Sequence, residues 1–383
     1  MIEPSKLLGA AQEQNANMLS ALRQLVETES PSDDRDAVNR AVDLVEQLAR
    51  GVSAKSLRHA QPEFGDHLEL RFGSSSSAKP LLLLGHLDTV WPMGTLASMP
   101  FQLKDDRAWG PGVLDMKCGV IMALTALRML IDAGALGGEV ILLLVSDEEV
   151  GSTSSRPLTE AIAKQCSAVL VLEPGQGLYG AAKTWRKGVG QFIVRVHGVA
   201  SHSGVDFEKG HSAVIELAHQ VLKMQKFTDL QAGFTVNPGV ISGGTRSNVI
   251  AAHAMCEVDV RIQRAADAER IEQLIHPLTP QDPSCRIEIS GGINRPPMER
   301  TAKVLSLYHR AHDIAQAIGF ELREEGTGGG SDGNFTAALG IPTLDGLGAV
   351  GEGAHAVHES ILLDELPRRT ALLAGLIQSL ARE

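Results

Sequence analysis

Three short runs of consecutive apolar residues dominate the first half of the chain. Leu81-Leu82-Leu83-Leu84 lies between Pro80 and Gly85, Val140 to Val145 follows Glu139, and Ala168 to Leu172 is the third. Runs this short, with no polar alternation, predict strands buried on both faces, as in a parallel sheet covered by helices. Leu19, Leu22, Leu25 and Val26 predict a helix over 17–29; Val38, Val42, Leu44, Val45 and Leu48 predict another over 35–50. Pro31-Ser32-Asp33-Asp34 separates the two. Residues 120–131 are apolar nearly all round, as in a helix packed onto a sheet. Ser74 to Ser77 predicts a polar turn before the first leucine run.

The pattern changes after about Trp185. Residues 190–198 alternate like a half-exposed strand, and residues 234–244, 254–262 and 286–289 predict further strands. Helices are predicted over 211–223 and 266–275. Strand, helix, two strands, helix, strand is the order of a small antiparallel, ferredoxin-like α+β unit with its helices on one face. Helical character returns after Pro296-Pro297, over 302–319. The expected fold is therefore α/β: a mostly parallel, helix-flanked domain over 1–186 and 295–383, interrupted by an inserted α+β domain at 187–294.

Composition narrows the function classes. A chain of 383 residues exceeds what one core usually holds, which agrees with two domains. A formal net charge of -11 argues against nucleic acid as a partner. No run approaches the roughly 20 apolar residues of a membrane helix, so no membrane partner is expected. The N-terminal residues lack the apolar core of a secretory signal, so a cytoplasmic location is expected for the chain as given, with a processed precursor as the alternative. Cys118, Cys166, Cys256 and Cys285 are far apart and form no CxxC pair, so single reduced thiols are expected.

The candidate chemistry sits where the apolar runs end. In open α/β sheets, ligands bind beyond the carboxyl ends of the strands. His86-Leu87-Asp88 follows the first run, Asp147-Glu148-Glu149 the second and Glu173 the third, while Gly110 to Lys117 is a turn-rich stretch presenting Asp115. Residues i and i+2 of an extended segment point the same way, so His86 and Asp88 can pair as a metal-binding histidine and its carboxylate. Gly353 to Glu359 adds a late histidine, His355 or His358. Two close divalent ions need several such ligands, one of them a bridging carboxylate. Of two adjacent glutamates, one can ligate while the other serves as a base.

The segments GHLDTVWP, GPGVLDMKCG, SDEEVGS, LEPG and GAHAVHE, in this order, resemble the zinc aminoacylase/carboxypeptidase family. Within it the chain most resembles bacterial glutamate carboxypeptidase. The resemblance implies two zinc ions per subunit, with cobalt or manganese as substitutes. His86 and Glu173 would hold one ion, Glu149 and His355 the other, and Asp115 would bridge them. His355 takes that place because the family's ligand stands four residues before a glutamate, here Glu359. Asp88 would orient His86, and Glu148 would be the general base and then the acid. The resemblance also implies that the inserted domain is a lid and dimerises, with Thr184 to Gly188 as its hinge. His202 would reach the partner subunit's site and steady the oxyanion. Asn248, Arg261 and Arg295 would meet substrate, and the glycine loop with Gly329 and Gly330 would form an anion nest for the free carboxylate.

The implied activity is hydrolysis of the amide of an N-acyl or N-aminoacyl amino acid bearing a free carboxylate, in glutamate carboxypeptidase style. The substrate is thus a small amide or peptide. An acetyl- or succinyl-amino acid deacylase or a dipeptidase is the alternative within the family. A binding protein that keeps the fold without chemistry is the alternative outside it.

Overall fold

The computed structural model describes residues 2–52, 55–74 and 78–382. The polar turn expected at Ser74 to Ser77 therefore falls mostly outside the described residues. The chain forms two compact units. One comprises Met1–Trp185, Arg300–Thr327 and Ser331–Glu383; the other comprises Arg186–Glu299 with Gly328–Gly330. The second unit is thus wider than the 187–294 expected. The glycine loop belongs to it because Arg186 Nη1 donates to the Gly329 and Gly330 carbonyls, at 3.3 and 3.0 Å.

The first unit is built on a six-stranded sheet ordered Lys55–His59, His67–Phe72, Val140–Val145, Leu81–His86, Ala168–Val171, Thr343–Leu344. The last four run parallel to one another, and the first two add an antiparallel edge. Alternate strand residues enter separate cores. Leu81, Leu83, Leu142, Leu144 and Leu170 pack on one side; Leu82, Leu84, Ile141, Leu143, Val145 and Val169 pack on the other. Burial on both faces is why these strands show no alternation in the sequence. Cys118–Asp132 is the buried helix of the first side, and Ile162 and Ala163 of the helix Arg156–Ala163 line the second. Asp34 caps the helix Arg35–Arg50 by accepting from Ala37 N at 2.9 Å.

The second unit is one antiparallel sheet ordered Thr235–Gly243, His253–Ile262, Gly188–His197, Arg286–Arg295. The helices Ala213–Met224 and Ala266–Ile275 cover one face, through Leu217, Met224, Ile271 and Ile275 against Phe192, Val194, Cys256 and Val258. Read in chain order this is the ferredoxin-like arrangement. Arg286–Arg295 is longer than the 286–289 expected, because its outward positions are polar or glycine and hide the strand's continuation. All four cysteines are buried and free of disulfides. Among the described residues, no helix is long and apolar enough to cross a membrane.

Candidate metal centre

His86 ends the Leu81–His86 strand and pairs in register with Val145, the last residue of its neighbour. Glu148 and Glu149 follow that neighbour in a short turn, and Glu173 follows the third parallel strand by two residues. Three candidate segments thus leave adjacent strands at the same end. Asp115 comes from the turn before helix Cys118–Asp132, and His355 from a loop before the strand Ser360–Leu362.

The side chains meet. One donor atom each from His86, Asp115 and Glu149 lies within 4.8 Å of the others. His86 Nε2 is 3.3 Å from Asp115 Oδ1 and 3.6 Å from Glu173 Oε1. His355 Nε2 is 3.5 Å from Asp115 Oδ2 and 3.2 Å from Glu149 Oε2. Asp115 therefore turns one oxygen to each histidine. His358 is exposed and outside this cluster. His355 takes a positive φ of 62°, a conformation that non-glycine residues hold only under local constraint.

Asp88 does more than face His86. Its backbone carbonyl accepts from His86 Nδ1 at 2.9 Å, which fixes the proton on Nδ1 and aims Nε2 into the cluster. Its carboxylate is 3.5 Å from that nitrogen and instead accepts from Ser32 Oγ at 2.8 Å, Glu148 N at 3.2 Å and Glu149 N at 3.1 Å. The fully buried Asp88 thus anchors the turn that carries both glutamates. Ser32 comes from the helix-breaking segment, and nothing in the sequence marks it for this contact.

The donor set suits divalent cations. Two imidazoles and three carboxylates are gathered at one sheet end, and Glu149 Oε1 is buried with no hydrogen-bond partner among the described residues. Such crowding of anionic groups is costly unless cations enter. Burial opposes charge on His86, yet Asp115, Asp88 and Glu173 outweigh it and hold its pKa well above the usual range. Asp115 and Glu149 raise His355 to about 10. Imidazole ligates only in its neutral form, so ion uptake is expected to release protons, and apparent affinity to climb as pH rises toward about 10. Calorimetry in two buffers of different ionisation enthalpy counts the protons; uptake without release at neutral pH would contradict these assignments.

In the second unit the expected substrate residues fall into two groups. Arg261 and Arg295 both pair with Val189 from opposite sides, so all three share the helix-free face of the sheet. A register shift between Ile293 and Arg295 turns Arg295 to that face. Arg295 is buried and packs on the glycine loop, where a Cβ at Gly330 would lie 3.1 Å from its Cδ. None of Gly328, Gly329 and Gly330 takes a left-handed φ, and the carbonyls of Gly329 and Gly330 accept from Arg186. Arg261 is held bidentately by Asp259, at 3.0 and 2.9 Å.

His202 and Asn248 lie past the other end of the same strands. His202 pairs with Val249, and Ser203 N donates to the Asn248 carbonyl at 3.1 Å. Eight residues of strand separate His253 from Arg261, about 27 Å at the usual rise. One copy therefore does not bring His202 and Asn248 to Arg261 and Arg295. His202 is exposed, and its Nδ1 accepts from Gly204 N at 3.1 Å, which leaves Nε2–H free to donate.

A family model described as peptidase family M20/M25/M40 matches residues 82–379. Carboxypeptidase G2 of Pseudomonas sp. (strain RS-16) is 29% identical over 381 residues, covering 98% of this chain and 92% of that protein. Acetylornithine deacetylase of Myxococcus xanthus is 28% identical over 351 residues, covering 85% and 87%. The crystal structure of a tripeptidase from Staphylococcus aureus shares the fold, with a TM-score of 0.78 at 19% identity, covering 96% of this chain and 99% of that one. The metal-suited cluster at the sheet end and these similarities lead to one assignment: the chain belongs to peptidase family M20/M25/M40 and is a metal-dependent amide hydrolase.

Proposed function

We propose that the protein is a two-zinc carboxypeptidase that releases an amino acid, glutamate foremost, from N-acyl or N-aminoacyl conjugates. The observation that carries this reading is the position of Asp115, with one oxygen toward His86 and the other toward His355. His86 and Glu173 would hold one ion, and Glu149 and His355 the other, with Asp115 shared. Ions held there would supply Lewis acidity to the scissile carbonyl and to the attacking water.

The chain's own groups do the rest. Glu148 takes the proton of the attacking water and returns it to the leaving amine, so that the amide C–N bond breaks as an acid and an amine are formed. Asp88 holds the Glu148 backbone in place. Arg295 receives the substrate's free carboxylate, a match for the guanidinium fork, with Arg261 and the Gly329–Gly330 loop beside it. The 29% identity with carboxypeptidase G2 along nearly the whole chain supports the carboxypeptidase form.

His202 and Asn248 serve the second copy of a homodimer in this reading. Their separation from Arg295 along the strands supports it. So does the exposed apolar surface of the second unit. Ile215 and Leu222 on one helix and Ile241 on the outermost strand are each about 60% exposed, beside an open sheet edge.

A substrate panel on zinc- or cobalt-loaded protein tests the reading. Folate-type and other N-acyl glutamates are expected to turn over faster than N-acetylornithine, N-succinyl amino acids and plain dipeptides. A preference for an acetyl or succinyl substrate would make the protein a deacylase. Metal-loaded protein with no hydrolysis of any of them would make it a binding protein.

A further inference from the structure

Glu359 was only a spacing marker in the sequence, yet it is wholly buried beside the metal-suited cluster. Its carboxylate accepts four N–H groups. Oε1 takes Leu114 N at 2.9 Å and Asp115 N at 3.0 Å; Oε2 takes Gly112 N and the Trp91 indole, each at 2.8 Å. None of the four belongs to its own segment. Trp91 stands three residues past Asp88, in the stretch that carries His86. The other three form the turn that presents Asp115, and Glu359 itself follows His355 by four residues. One side chain therefore ties together the segments of three candidate ligands.

The residue type fits the task. An ionised carboxylate offers about four acceptor sites and no donor, so four N–H groups satisfy it completely. Hydrogen bonds to an ionised carboxylate are charge-assisted, and so shorter and stronger than neutral ones. Glutamine could satisfy only the pair on one oxygen, because its NH₂ would face the other pair.

We propose that Glu359 is the positioning residue of the metal centre: by gathering the Trp91 and Gly112–Asp115 segments onto its own, it sets where Asp115 stands between His86 and His355. This rests on the metal-centre reading above. Because Asp115 faces both histidines, a displaced turn would be felt at both ion positions.

Cobalt binding to the full chain tests the proposal. Affinity is measured by chelator competition and ligand geometry by the visible spectrum, on wild type, Glu359→Gln and Trp91→Phe. Glu359→Gln is expected to bind Co²⁺ about 10- to 100-fold more weakly with an altered spectrum, the usual cost of losing a group that supports a ligand. Trp91→Phe removes one donor of the four and should show a smaller loss in the same direction. A Glu359→Gln protein that melts earlier but keeps wild-type affinity and spectrum would overturn the proposal, reducing Glu359 to a loop tether. If that variant does not fold, Trp91→Phe decides, and wild-type affinity and spectrum there would overturn it. A wild-type chain that takes up no divalent ion would overturn the metal-centre reading and this inference together, an outcome visible before any variant is made.

Discussion

Glu148→Gln is expected to lower kcat by about 10²- to 10⁴-fold while leaving the bound metal content unchanged, the range typical of losing a general base. The argument rests on how the two adjacent glutamates differ. Glu149 points a carboxylate oxygen at His355, 3.2 Å away, and belongs to the clustered donors. Glu148, its neighbour in the same turn, is read as the base, as the resemblance implies, and not as a ligand. Both backbones are tethered to the same carboxylate, that of Asp88, through N–H bonds of 3.2 and 3.1 Å. Glutamine keeps the size of the side chain and leaves those tethers intact, but it cannot carry a proton from water to the leaving amine. Steady-state kinetics with metal analysis of the same preparation checks both halves. A fully active variant would remove Glu148 as the base, and a variant that loses metal would make it a ligand. Glu149→Gln should behave in the opposite way, losing metal first.

The parts of this protein most legible from sequence are those buried on two sides. Leu81 to Leu84 and Val140 to Val145 admit no polar residue because each face meets a core, and their ends point to the site through a general property of parallel sheets. The edge hairpin was harder to read. His67 and Glu69 are buried within its inner strand, and Glu69 is tolerated there through Arg71 at 2.6 Å and His59 at 2.9 Å. Contacts between distant segments were invisible. An i, i+2 argument places Asp88 beside His86, but it cannot foresee that the remote Glu148–Glu149 turn would offer two N–H groups to the same carboxylate. Likewise Asn248 and Arg261 are close in sequence, yet a strand runs between them and carries them apart. The turn of Arg295 toward the open face depends on one register shift, which a strand pattern of glycine and polar residues does not reveal.

Two nearly inactive variants are expected to restore one another when combined. His202→Ala removes a donor to the oxyanion and should cost about 10²- to 10³-fold in kcat. Glu148→Gln removes the base. If His202 completes the partner's site, a mixed dimer has one centre with its own Glu148 and the partner's intact histidine, and one centre lacking both. Co-expression in equal amounts makes about half of the dimers mixed, so the preparation should recover about a quarter of wild-type activity. If His202 serves its own chain, every centre lacks one group or the other and no recovery occurs. The geometry favours recovery. Nε2 of the exposed His202 is a free donor, and about 27 Å of strand separates its end of the sheet from Arg261 and Arg295. Sedimentation of the wild-type chain as a monomer, or a mixed preparation no more active than its components, would end this arrangement and leave the oxyanion to groups of the same chain.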